Sequence, residues 1–184
     1  MAKILLLIPA RMGSTRFPGK PLKRILNKVP MIEYIYNKVK NSKIIDHVYI
    51  ATCDNKISEH IKSIGGNFIM TSKKHQRASD RCSEGLRKLE KKLRIKFDIV
   101  TMLQGDEPLI SIKMIEKGIM PLINDKKIMI TNLAAKIYDK KEFLDKNCIK
   151  VVFDKNYDAL MFSRNPIPSK KTSKNFGYKQ VCSI

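Results

Sequence analysis

The run Ala2–Ala10, AKILLLIPA, is apolar at every position but Lys3, and it meets a loop, RMGSTRFPGKPL, made of Gly, Pro and cations. Such a run is too short to cross a membrane, which takes roughly 18 residues or more. It is also a poor signal peptide, because Pro9 and Arg11 follow at once. A continuous apolar run bounded by turn residues is the pattern of a strand buried on both faces, and such strands belong to parallel sheets covered by helices. The rest of the chain repeats this theme. MIEYIYNKVKNS places Ile32, Ile35, Tyr36 and Val39 on one helical face. HVYIAT reads as a second strand, and DNKISEHIKSIG as a helix opening at Asp54 and stopping at Gly65-Gly66. NFIMT reads as a third strand, and SDRCSEGLRKLEKKL as a helix with Leu86, Leu89 and Leu93 inward. FDIVTML reads as a fourth strand, SIKMIEKGIMPLI as a helix, and KIMITNLAA, CIKVVFD and DALMFS as further strands. YKQVCSI begins like one more strand. Strand–helix alternation of this kind predicts an α/β fold with a mainly parallel sheet.

Ligands in such sheets lie beyond the carboxyl ends of the strands. The polar motifs of this chain stand there: PARMGSTRFPGK after the first strand, ATCDN after the second, QGDEP after the fourth and FSRNPIP after the last. The first loop is not a Walker A sequence, since the spacing from Gly13 to Gly19 is one residue too long and Pro21 follows Lys20. It still has the parts of an anion cradle. Glycines admit close backbone approach, and Arg11, Arg16 and Lys20 supply charge-assisted donors. A polyphosphate suits it. Asp106 and Glu107 follow a buried strand, where an unpaired carboxylate is costly. Two acids near a polyphosphate loop suggest Mg²⁺, which commonly bridges carboxylates and substrate phosphates. Asp54 is either an N-cap or a nucleotide ligand, and Ser79 in HQRASDR is likewise a cap or a nucleotide-facing residue. Arg164 reads equally well as an anion ligand and as a surface cation.

The formal net charge of +20 raises nucleic acid as a partner. Of the 37 cations, however, 8 are Arg and 29 Lys, spread along the whole chain. Base readout and phosphate forks favour Arg, so solvated lysine faces are the expectation and no specific nucleic acid is. Cys53, Cys82, Cys148 and Cys182 lie far apart, with no metal spacing and no disulfide framework. A cytoplasmic protein without a membrane span is expected.

Taken in order, IPARMGSTRFPGKPL, ATCD, HQRASDR, LQGDEPLI, NCIKVVFD and ALMFSRNPIP closely resemble the 3-deoxy-manno-octulosonate (Kdo) cytidylyltransferases, from Ile4 to about Ile184. Related enzymes that activate sialic-type acids share part of the pattern. The resemblance implies a Rossmann-like, three-layer nucleotide-diphospho-sugar transferase fold with a mainly parallel mixed sheet. It implies a homodimer that joins CTP to Kdo for lipopolysaccharide synthesis. Pro9, Ala10 and Arg11 would contact the cytidine part, and Arg16 and Lys20 the triphosphate. Asp106 would hold Mg²⁺, and Gln104 and Arg164 would face the sugar acid. Arg16, Lys20 and Asp106 would be the catalytic set. Three departures accompany it. Where the family commonly reads HQSGTER, Arg77 replaces a small residue and Ala78 a glycine. Gln180 stands where a His often faces the sugar, which points toward a modified or different keto-sugar acid. The family also runs longer, so residues 1–184 are expected to form a single nucleotidyltransferase domain lacking its C-terminal part. A CTP-binding domain without turnover is the alternative.

Overall fold

The computed structural model describes residues 2–13, 17–25, 28–169 and 176–181. The chain forms two compact units, one up to Thr131 and one from Asn132 onward.

The first unit is built on a parallel sheet of β1 (Ile4–Ala10), β4 (His47–Thr52), β5 (Phe68–Met70) and β6 (Ile99–Met102), in the order β5-β4-β1-β6. Leu5 to Ile8 are fully buried at the centre of this sheet, as their continuous apolar run requires. Alternation sends them to opposite faces. Leu5 and Leu7 pack with Tyr49, Ala51, Cys82 and Leu89, and Leu86 and Leu93 lie against this cluster. Cys82, Leu86, Leu89 and Leu93 all come from α3 (Ala78–Leu93), whose inward leucines are those expected from its spacing. Gly85 brings this helix close, with space for a Cβ only 3.3 Å from Ile69 and 3.6 Å from Ala51. On the other face, Ile8 and Ile32 of α1 (Met31–Val39) both approach Gly105. Helix, sheet and helix make the three layers of a Rossmann-like fold. α2 (Asn55–Ser63) and α4 (Ile112–Asn124) complete this unit, together with the small hairpin of β2 (Arg24–Ile25) and β3 (Val29–Pro30), which the apolar pattern does not signal.

The second unit is an antiparallel sheet of β7 (Leu133–Lys136), β8 (Lys150–Phe153), β9 (Ala159–Ser163) and β10 (Tyr178–Val181), in the order β7-β10-β8-β9, with α5 (Lys140–Leu144) joining β7 to β8. KIMITNLAA is strand only in its second half. Met129 and Ile130 lie outside any strand and are about four-fifths exposed, so an apolar run there reflects composition and not a buried strand.

Candidate functional site

The carboxyl ends of β1, β5 and β6 open onto one cleft of about 250 Å³. β1 contributes Pro9, Ala10 and Arg11, and the short 3-10 turn Lys20–Leu22 contributes Lys20 and Pro21. The segment after β5 supplies His75, Gln76 and Arg77, continuing into Ala78 and Arg81 of α3, and the segment after β6 supplies Gln104, Gly105 and Asp106.

Local chemistry sets each piece. The first loop folds back through a hydrogen bond from the Gly19 N–H to the Met12 carbonyl, 3.0 Å. Gly19 adopts φ +72°, a conformation only glycine takes at little cost. Pro21 then starts the 3-10 turn at a position where its missing N–H costs nothing. The turn delivers the Lys20 ammonium to the Asp106 carboxylate at 2.7 Å, so the loops after β1 and β6 meet through opposite charges. Both partners are substantially exposed, and such a pair is worth about 1 kcal/mol at most. A ligand can therefore separate it at small cost. Gly105 lets the two loops touch: a Cβ there would lie 2.9 Å from the Pro9 carbonyl oxygen.

The third wall is held from behind. The Arg81 guanidinium is buried, donating to the Thr71 hydroxyl at 2.6 Å and to the Ser72 and His75 carbonyls at 3.4 Å. Glu84 accepts from the Ser72 N–H at 2.9 Å, from Lys88 at 2.7 Å and from the His75 ring. These contacts, led by Lys88 and then the Ser72 N–H, hold the Glu84 carboxyl down to about 2. His75 is thus a brace that ties its loop to α3.

Of the expected site residues, Pro9, Ala10, Arg11, Lys20, Gln104 and Asp106 converge in this cleft. Arg16 lies outside the described residues. Asp54 does not line the cleft. It stands at the N-cap of α2 yet caps no helix N–H; its carboxylate accepts from the Met12 N–H at 2.9 Å and so anchors the first loop to the end of β4. Ser79 is exposed within α3, whose N-cap is Arg77, so it caps nothing. Arg164 and Gln180 belong to the second unit. The Arg164 side chain donates to the Lys146 carbonyl at 3.0 Å, and the Gln180 amide to Asn132 at 3.0 Å. Arg81, Arg77 and Gln76 are cleft residues that the motifs did not single out as ligands. A buried arginine on a helical face reads as amphipathic pattern until its partners are visible.

The model of the cytidylyltransferase family matches residues 5–182. The chain belongs to the cytidylyltransferase family. A 3-deoxy-manno-octulosonate cytidylyltransferase of Thermodesulfovibrio yellowstonii is 45% identical over 183 residues, which are 95% of this chain and 71% of that protein. The same-named protein of Geobacter metallireducens is 41% identical over 91% of this chain and 63% of its own length. A solved CMP:2-keto-3-deoxy-manno-octonic acid synthetase in complex with CTP superposes with a TM-score of 0.85 at 32% identity, covering 98% of this chain and 72% of that one. A solved 4-diphosphocytidyl-2C-methyl-D-erythritol synthase shares the fold at 13% identity and a TM-score of 0.63. This family member therefore spans roughly two thirds of the length of these relatives.

Proposed function

We propose that the chain transfers CMP from CTP to the anomeric hydroxyl of Kdo and releases pyrophosphate. The observation that supports this most is the Lys20–Asp106 pair, set at the carboxyl ends of β1 and β6 in a chain with such relatives. The hydroxyl oxygen attacks the α-phosphorus in line. The new C–O–P bond forms as the bond to the pyrophosphate oxygen breaks, and the hydroxyl proton leaves to solvent. This chemistry asks for positioning and charge neutralisation more than covalent catalysis. Lys20, released from Asp106 by the incoming nucleotide, stabilises charge on the departing pyrophosphate. The ends of β1 and β6 hold the reactants against each other, and Gln104 offers its amide to the sugar acid.

Asp106 fits a divalent cation. It is an exposed, hard carboxylate donor facing the cleft, and its only ion-pair partner among the described residues is an ammonium that a cation can replace. Mg²⁺ shared between this carboxylate and substrate phosphates is the cation that suits it. When bound, it neutralises phosphate oxygens and favours ionisation of the attacking hydroxyl. The same reading places the reaction in the cytoplasm, on the route to lipopolysaccharide, in a homodimer.

Pyrophosphate release with CTP, Mg²⁺ and Kdo, against UTP and sialic acid as controls, tests the reading. Release with CTP and Kdo alone is expected. Release with sialic acid instead moves the activity to another keto-sugar acid. CTP binding without release favours the second reading, a nucleotide-binding domain without turnover.

A further inference from the structure

We propose that Arg77 is a triphosphate ligand of this cleft, an inference that rests on the cytidylyltransferase reading. Among the described residues, five basic side chains line the cleft. Two are held by the protein, His75 by Glu84 and Arg81 by Thr71, Ser72 and His75, and Lys20 is paired with Asp106 until the nucleotide separates them. Arg11 and Arg77 are the two whose side chains make no hydrogen bond or ion pair among the described residues. Arg11 sits beside Pro9 and Ala10 and goes with the cytidine part. That leaves the exposed Arg77 guanidinium, a planar fork suited to two phosphate oxygens.

Its position supports the same conclusion independently. Arg77 is the N-cap of α3, a helix of 16 residues. Arginine has no acceptor to offer the first helix N–H groups, and the Arg77 side chain makes no capping hydrogen bond. A cation there also opposes the positive end of the helix dipole. The local preference is for Ser, Thr, Asp or Asn. A residue that breaks a local rule without a local gain belongs with function, and an anion seated between the guanidinium and the helix end removes the conflict.

Arg77→Ser is a suitable probe, because serine is a good N-cap and the helix keeps its start. Titration calorimetry would compare the wild type with Arg77→Ser and Arg77→Lys, using CTP and CMP, in EDTA and in Mg²⁺. Loss of one charged bidentate contact is expected to raise the Kd for CTP roughly tenfold to a hundredfold. CMP, lacking the β- and γ-phosphates, should change little, and Lys should restore part of the loss. Equal weakening of CTP and CMP, or no weakening of either, overturns the proposal while leaving the cytidylyltransferase reading in place. A wild type that binds neither nucleotide overturns both.

Discussion

Lys20 carries the largest single demand at the residue scale, because the reading asks one ammonium to exchange a carboxylate for a developing pyrophosphate charge. Lys20→Ala should lower kcat by roughly 10²–10³, the usual cost of losing one preorganised charge-stabilising donor, in steady-state pyrophosphate release. Turnover within a few-fold of the wild type would remove Lys20 from the chemistry. Cys82 makes a contrasting residue-scale case. It lies on the buried face of α3, and burial pushes its thiol up to about 12, with Arg81 acting in the other direction. At pH 8 it should resist a thiol-disulfide reagent until denaturant is added, whereas the half-buried Cys53 should react in the folded protein. Mass mapping of the labelled peptides checks this.

The element scale is where loops are held to strands. Gly105 sits where the loop after β6 meets the end of β1, and Gly105→Ala forces a Cβ toward the Pro9 carbonyl oxygen at 2.9 Å. Overpacking of this sort costs about 1–3 kcal/mol. Both the denaturant midpoint and CTP affinity should fall, since the same contact sets the cleft. In the second unit, Lys150 is fully buried, its ammonium donating to the carbonyls of Asp145 (2.6 Å), Cys148 (2.9 Å) and Arg164 (3.0 Å). One side chain thereby pins the turn before β8 to the turn after β9. Lys150→Met keeps the stem but strands three acceptors, at about 1–3 kcal/mol for each left unsatisfied. Chemical denaturation should show a large loss, and an unchanged midpoint would mean that water takes over these carbonyls.

At the scale of the whole molecule, ligand and proton linkage become visible. CTP that binds only the folded chain should add about 2.7 kcal/mol at a hundred times its Kd, seen as a rise in Tm that UTP does not match. Glu84 provides the proton case. Its carboxyl falls from an ordinary 4.5 to about 2 on folding, so the unfolded chain binds the proton more readily. The stabilisation is fully present above pH 4.5 and is lost as pH falls toward 2. Glu84→Gln should flatten that part of an acid-unfolding profile, and an unchanged profile would show the brace on His75 and Ser72 to be weak.

The parallel sheet and its site loops were legible in the sequence because buried parallel strands write themselves as unbroken apolar runs, and because ligand loops follow strand ends. That is how Arg11, Lys20 and Asp106 stood out, whereas Pro9, Ala10 and Gln104 came only from the resemblance to the Kdo cytidylyltransferases. Helix α3 was legible as well, through the spacing of Leu86, Leu89 and Leu93. The hairpin of β2 and β3 was not, since two-residue strands leave no periodicity, and neither were the exposed Met129 and Ile130, which look like strand residues. Asp54 looked like a helix cap and instead holds the Met12 N–H; the choice between those donors depends on how β4 sits beside β1, 42 residues away in the chain. The sequence by itself determined the buried parallel strands and the main helices between them, the order of the motifs and the family. Only the tertiary structure decided which cations are already paired and which remain for a ligand, because pairing is a property of distance between elements and not of residue type.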